Sequence, residues 1–385
     1  MRILYFSRDY TPHDHRFLSA IAGSGLQVGY LRLEQRRRPP EGRPLPTQVK
    51  EMRWAGGRGQ ASPLELPRLL PGLKRIVREY KPDLIHAGPL QTCAFLVALT
   101  GFRPLVSMSW GYDLLYDARR SRLWRWATRY TLRRSAAMVG DCATIRREAV
   151  QHGMDPNRIV TFPWGVDLRQ FSPTPNGSHS ERSWLRSQAG WGPETFVLLS
   201  TRSWEPIYGI EVLARAFVKA ARNCPELCLI MLGGGSLAAR LRQSFATGGM
   251  IERVYFAGQV EQAELVKYYR AADLYLSASH SDGTSISMLE ALATGVPVLL
   301  SDIPGNREWI TPGEEGWLFP DGDDQALAEA ILEAVGARQR LPEMGKAARV
   351  LAEQRANWEV NSPQLFEAYR IALQPVTPSL QGKVG

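Results

Sequence analysis

Short apolar runs alternate with longer helical patterns along almost the whole 385-residue chain, and this alternation limits what it can fold into. The runs lie at 2–7, 28–33, 84–86, 105–109, 137–140 and 159–162, then again at 196–200, 227–232, 254–257, 274–277, 296–300 and 316–319. Runs this brief, rich in Val, Ile, Leu and Phe, predict strands buried on both faces. Helical stretches between them, such as 64–80 and 123–134, predict crossovers that make those strands parallel. The expected fold class is α/β, with two Rossmann-like, doubly wound domains in tandem. A ligand cleft is expected where the C-terminal ends of the two sets of strands face each other.

The length suits two domains. The stretch 173–193, rich in Pro, Gly and Ser, reads as the linker, which gives 1–172 as the first domain and 194–356 as the second. The Arg-, Pro- and Gly-rich segment 34–62 interrupts the rhythm with one short strand near 49–53, and reads as a solvated or functional insertion. No apolar stretch is long enough to span a bilayer, and the first residues read as a strand followed at once by charge, so a cytoplasmic protein is expected. Four scattered cysteines and six unclustered histidines predict neither a disulfide framework nor a structural metal.

Charge is polarised. Residues 1–180 carry 28 Lys and Arg against 14 Asp and Glu, while the remainder carries 19 against 24, so the first half is suited to an anionic partner. Nucleic acid is disfavoured, because no helix-turn-helix, zinc-finger or RNA-binding strand motif accompanies the charge. The segment 117–134 joins seven Arg to Leu123, Trp124, Trp126 and Tyr130. One reading buries Leu123, Trp126, Ala127 and Tyr130 on the helix's own domain, and this is the favoured one. The other lays residues 119–134 on an anionic membrane surface, placing the protein at the inner face of the membrane.

The densest chemistry lies at 279–300: a strand end, a turn containing Gly283, a helix opening near Thr284 or Ser285, and a further strand. Free N–H groups at such a helix start, with the positive end of its dipole, cradle phosphate. Asp282 stands beside the cradle and Glu290 lies two turns on, and carboxylates suit the hydroxyls of sugar and ribose. Alternatively, Asp282 is only a cap and Glu290 an ordinary helix residue.

This region resembles the retaining GT-B glycosyltransferases, specifically glycosyltransferase family four. That family places two acids with seven residues between them before a Leu- and Ala-rich helix ending in Gly-x-Pro-Val, as Asp282 and Glu290 stand here before Gly295, Pro297 and Val298. Further matches are Arg158-Ile159 followed by Gly165-Val166-Asp167 and Phe171, Gly233-Gly234-Gly235 after a strand, the 256–260 and 268–273 stretches, and 301–308. The likeness extends over nearly the whole chain.

The resemblance implies roles position by position. Glu290 holds the donor ribose, Asp282 contacts the donor sugar, and Gly283, Thr284, Ser285 and Ile286 receive the phosphates. Arg202 binds the diphosphate, a task for which its always-charged fork is suited. Residues 357–374 form a last helix crossing back to the first domain. Three positions depart from the family. Tyr208 stands where a Lys is common, so diphosphate stabilisation is either weaker here or recruits Arg307 instead. Trp110 replaces a His, although Asp113 is kept. The Gly-rich loop after the first strand is replaced by residues 9–17, so His13, Asp14, His15 and Arg16, with Trp110 and Asp113, form the expected acceptor side.

Asp282, Arg202 and Asp113 are the catalytic candidates. Asp321 and Asp323 stand where a turn and a helix cap are needed, so they read as structural and metal-independent transfer is expected, with a nucleotide-sugar as co-substrate and no cofactor. The acceptor class is a glycan, a lipid-linked sugar or a small molecule. A lapsed sugar-nucleotide-binding subunit and a GT-B sugar-nucleotide epimerase are the competing functions. A nicotinamide enzyme is disfavoured, since Ser7-Arg8-Asp9 follows the first strand in place of Gly-x-Gly-x-x-Gly.

Overall fold

A computed structural model describes residues 1–35, 41–57, 59, 65–174 and 180–374. The chain divides into two compact units, one built from 1–141, 145–162 and the stretch from Ser362 onward, the other from 142–144 and 163–361.

The first unit holds a seven-stranded sheet of β1 (Arg2–Ser7), β2 (Gln27–Arg32), β3 (Val49–Glu51), β4 (Leu84–Ala87), β5 (Leu105–Met108), β6 (Ala137–Gly140) and β7 (Ile159–Thr161). Its order is β3-β2-β1-β4-β5-β6-β7, parallel throughout. The second holds β8 (Phe196–Ser200), β9 (Leu227–Leu232), β10 (Val254–Gly258), β11 (Leu274–Ser277), β12 (Val298–Ser301) and β13 (Gly316–Phe319). They run β10-β9-β8-β11-β12-β13, again parallel. In both sheets the strand order reverses beside the unit's first strand, between β1 and β4 and between β8 and β11. Open parallel sheets take ligands beyond the carboxyl ends of the strands at such a reversal.

The apolar runs are strands because helices cover both faces. In β8, Phe196 and Leu198 pack with Phe217 and Phe245 on one face, while Val197 and Leu199 pack with Tyr269 and Leu289 on the other. In the first unit, Leu4, Phe6, Ile85 and Leu105 meet Leu96 and Leu73.

Two segments do more than connect. Residues 173–193, read as a linker, contain the helix Ser180–Ala189. Arg182 and Arg186 of that helix both grip Asp273, with Arg186 Nη2 at 3.1 Å from Oδ2, and the same oxygen accepts from Val197 N at 2.8 Å. In the 34–62 insertion, Trp54 is buried edge-on against Phe6 with ring centres 5.4 Å apart and donates from Nε1 to Arg32 O. The edge strand β3 lies here too. Residues 36–40, 58 and 60–62 of the insertion, 63–64 just after it, 175–179 of the stretch read as a linker and the tail from 375 fall outside the described residues.

The helix Arg122–Arg134 corrects the burial favoured from sequence. It turns Ala127, Thr128, Thr131 and Leu132 inward and leaves Leu123 and Trp126 exposed. Hydrogen bonds fix that orientation, because Gln91 Nε2 donates to Thr128 Oγ1 at 2.8 Å and Thr131 Oγ1 donates to Leu90 O at 3.1 Å. Among the described residues, no helix is long and apolar enough to cross a membrane.

The last helix, Gln364–Leu373, belongs to the first unit and packs against β5, β6 and β7. Its Tyr369 hydroxyl lies 2.8 Å from His86 Nδ1, deep in the core. Burial pushes the His86 imidazole down to about 3. A base kept neutral in this way contributes its full stability above about pH 6.5, and that stability is lost as pH falls toward 3. His86→Phe is expected to remove an acid-induced loss of about 3 kcal/mol between pH 7 and 4.5. Urea midpoints of both proteins across that range measure it. Burial raises Asp14 and Asp113 to about 6, which acts in the opposite sense but cancels in the difference between wild type and variant.

Candidate functional site

At the reversal of the second sheet, the loop after β8 meets the loop after β11. Gly209 makes the approach possible, since its φ is +58° and a Cβ there would lie 1.8 Å from Ala278 O. His280 N also donates to Ile207 O at 3.0 Å. Arg202 and Tyr208 are thereby placed beside residues 279–287.

Arg202 is the centre of this cluster. Nη2 lies 2.7 Å from Asp282 Oδ2, and Nη1 donates to Ser285 Oγ at 2.9 Å and Ser287 Oγ at 3.2 Å. The guanidinium carbon stands 4.2 Å from the centre of the Tyr208 ring, within cation–π range. Burial works against its charge, but Asp282 and the surrounding tyrosine hydroxyls outweigh that and hold the guanidinium charged more firmly than usual. Burial also raises the Asp282 carboxyl above its ordinary range, against the pull of Arg202 and the Gly283 N–H.

The helix Ile286–Ala293 begins here. Ser285 caps it, accepting weakly from Met288 N at 3.4 Å, and Trp309 Nε1 steadies the turn by donating to Thr284 Oγ1 at 3.3 Å. Gly305 lets the Pro304–Arg307 turn pass close by, since a Cβ there would come 2.4 Å from Gly283 O. Glu290, on the same helix, is buried, with Oε2 at 2.9 Å from the Tyr269 hydroxyl and Oε1 at 3.3 Å from Gln262 Nε2. Tyr275 donates to Ser287 Oγ at 2.8 Å.

The cluster therefore brings together Arg202, Tyr208, Asp282 and the Gly283–Ile286 cradle, with Glu290 farther along the same helix. Arg307 goes elsewhere. Its fork closes on Asp302 at the surface, with Nε to Oδ1 at 2.5 Å, and the structure does not bring it into the Arg202 cluster. Asp321 pairs with His280 at 2.7 Å, and Asp323 caps the helix Asp324–Gly336 through Gln325 N and Ala326 N. Sequence reasoning gave no role to Tyr269, Tyr275, Ser287 or Gln262. Tyr268-Tyr269 lay inside a stretch carrying the family likeness, which was the available signal.

The first-unit candidates divide differently. Asp113 is fully buried. Its Oδ1 accepts from Ser109 Oγ at 2.5 Å, Trp110 N at 3.1 Å and Leu114 N at 3.0 Å, and its Oδ2 from Leu90 N at 3.0 Å. It anchors the loop after β5 to the start of the next segment, which corrects its assignment as a catalytic and acceptor-side group. Asp14 is likewise buried. It closes a capping box with Thr11 at the start of the helix Pro12–Gly23 and accepts from the Tyr5 hydroxyl at 3.1 Å, so it positions its neighbours. His13, His15 and Arg16 are half-buried on the first turns of that helix. His13 stands edge-on to Trp110 at 5.5 Å, and His15 Nδ1 lies 2.7 Å from the Tyr10 hydroxyl. Burial and Arg43 lower the His15 pKa, favouring the neutral imidazole.

Two doubly wound parallel-sheet units, the second with Arg202 and two acids at the reversal of its sheet, are the architecture of a GT-B fold. Over 96% of this chain it is similar to 98% of the sucrose-phosphate synthase of Thermosynechococcus elongatus, with TM-score 0.79 and 20% identity. Residues 182–351 match the family described as Glycosyl transferases group 1, and residues 12–165 match the Glycosyl transferase 4-like domain. The chain belongs to the group 1, family-four-like glycosyltransferases of GT-B fold. It is 30% identical over 244 residues to a D-inositol 3-phosphate glycosyltransferase of Nocardia farcinica, covering 61% of this chain and 52% of that protein. A GDP-mannose-dependent alpha-(1-6)-phosphatidylinositol monomannoside mannosyltransferase of Mycolicibacterium smegmatis is 26% identical over 323 residues, 78% of this chain and 80% of that protein. The chain thus spans about half the length of the first of these relatives.

Proposed function

We propose that this chain is a retaining glycosyltransferase that moves a sugar from a nucleotide-diphosphate donor to a hydroxyl of a glycan, lipid-linked or small-molecule acceptor. The observation that carries it is Arg202, fixed by Asp282, Ser285 and Ser287 at the mouth of the helix Ile286–Ala293. A cation and a helix start directed at one place suit a diphosphate, and Glu290 on the same helix suits a ribose. The two relatives are named for D-inositol 3-phosphate and for a phosphatidylinositol monomannoside, which supports an acceptor bearing several hydroxyls or a lipid.

In the step, the bond from the sugar's anomeric carbon to the diphosphate oxygen breaks and a bond to the acceptor oxygen forms on the same face. The acceptor proton passes to the departing diphosphate. Arg202 and the N–H groups of the cradle stabilise the charge that builds there, while Asp282 orients the sugar through its hydroxyls. Transfer is proposed to be metal-independent: Arg202 and the helix start supply positive potential suited to a diphosphate, while Asp321 and Asp323 are engaged by His280 and a helix cap.

Thermal-shift screening against UDP, GDP, ADP, CMP and their sugar conjugates tests the donor half. One nucleotide class at about a hundred times its Kd is expected to raise the melting temperature by roughly 5–10 °C. Glu290→Ala is expected to abolish that shift. No shift with any nucleotide would contradict the donor assignment. A shift with no transfer would favour the lapsed binding subunit, and change of the donor alone would favour the epimerase.

A further inference from the structure

The helix Arg122–Arg134 carries a surface that the proposed transfer reaction does not use. Its inward stripe is fixed by Ala127, Thr128, Thr131 and Leu132, so its outward residues are determined. Leu123 is 67% exposed and Trp126 50%, and Tyr116, just before the helix, is 56% exposed. Trp126 is extended by Tyr130 at 5.5 Å and Phe95 at 5.6 Å between ring centres, which makes a continuous aromatic edge. On a helix of 3.6 residues per turn, Leu123, Trp126 and Tyr130 form one strip, and Arg122, Arg125, Arg129 and Arg133 run beside it on the exposed side.

Charge is equally one-sided. Between Ala118 and Arg134 the sequence holds seven Arg and no acid. Glu148 of the neighbouring helix is engaged by Arg119 at 2.7 Å, leaving Arg122, Arg125 and Arg129 farther along the surface. Arg134 lies 5.1 Å over the Tyr130 ring and so reinforces the aromatic edge directly, while Arg120 lies 5.4 Å over Trp124, which is on the same helix as Tyr130.

We infer that this face docks the protein on an anionic lipid bilayer, with Leu123, Trp126 and Tyr116 entering the headgroup layer and the arginines meeting lipid phosphates. A soluble polyanion would engage the arginines but gives no reason to expose Leu123 and Trp126 between them. A protein groove would accept the apolar strip but does not call for an acid-free row of arginines beside it. An interface of phosphate above and acyl chain below satisfies both. Docking here deepens the proposed function by placing transfer at a membrane surface, where a lipid-linked acceptor resides, and to that extent it rests on the transferase assignment. The binding itself is a property of this face alone.

Co-sedimentation of the full chain with vesicles tests it. Wild type is expected to pellet with phosphatidylcholine vesicles containing about 40% phosphatidylglycerol and to remain in solution with phosphatidylcholine alone. Arg122→Gln, Arg125→Gln and Arg129→Gln together are expected to weaken binding about a hundredfold. Leu123→Ser with Trp126→Ser is expected to weaken it about tenfold or more. All five side chains are exposed, so the melting temperature is expected to be unchanged in the arginine variant and to fall by no more than about a few degrees in the other, which loses the Trp126 ring contacts. Equal binding by the three proteins overturns the inference. So does binding that is indifferent to anionic lipid, or retention on heparin without any vesicle binding. The nucleotide thermal shift, measured on the same samples, reports separately on the donor site. Its absence would remove the transferase assignment and leave the vesicle result standing.

Discussion

Arg202→Ala is expected to lower kcat by a hundred- to a thousandfold, the largest effect of any single substitution in the site. The guanidinium is the positively charged group held by Asp282, Ser285 and Ser287 at the helix start, and a leaving diphosphate gains its extra charge in the transition state. Loss of an interaction that strengthens only there falls mainly on kcat and less on the donor's KM. Lys at this position restores charge but not the two-pronged contact, so Arg202→Lys is expected to recover part of the loss. The ring of Tyr208 is expected to matter as a surface. Tyr208→Phe keeps the face that lies 4.2 Å from the guanidinium and is expected to stay near wild type, whereas Tyr208→Ala frees the fork and is expected to cost about tenfold. Single-turnover rates at saturating donor, with melting temperatures as a control on folding, read both pairs. Equal loss in Tyr208→Phe and Tyr208→Ala would show that the hydroxyl, and not the ring face, is what counts.

The largest expected effect on stability is at Asp273. Its carboxylate is 3% exposed and is held by Arg182, Arg186 and the Val197 N–H, joining the helix Ser180–Ala189 to the ends of β8 and β11. Asp273→Ala strands the buried Arg186 guanidinium without its acid. Removing one member of a buried pair costs about 3–5 kcal/mol. For a unit of this size that lowers the melting temperature by roughly 6–20 °C. Calorimetry of wild type and variant measures it. A change within 2 °C would mean that water replaces the carboxylate and the helix Ser180–Ala189 is held mainly by Leu185.

Much of this molecule could be read from its residues because burial on both faces writes parallel strands as short apolar runs. Asp282, Gly283, Ser285 and Glu290 were legible for a related reason: a helix start and its second turn are local features, fixed by spacing along one segment. Partnerships across the chain were not. Asp113 carries the same residue type and loop position as a reactive acid, and only three-dimensional packing shows four donors converging on it. Tyr269 reaches Glu290 from the preceding helix, 21 residues earlier with β11 between them, so no spacing rule within one element finds it. On the helix Arg122–Arg134, apolar content alone favoured burying Leu123 and Trp126, but Thr128 and Thr131 found partners in Gln91 and Leu90 O and turned the helix the other way. Arg307 is a different case: its partner Asp302 lies only five residues before it, so the pair itself is local, and only the fold shows that it stands at the surface outside the Arg202 cluster.

The most direct measurement is the anomeric configuration of the product. The donor identified by thermal shift would be incubated with a panel of polyol, glycan and lipid-linked acceptors, and the new linkage assigned by proton NMR alongside the released nucleotide diphosphate. A glycoside with the donor's own anomeric configuration, formed in step with diphosphate release and lost in Arg202→Ala, is the expected result. An inverted linkage, or a donor left intact with every acceptor while still bound, would contradict retaining transfer by this chain.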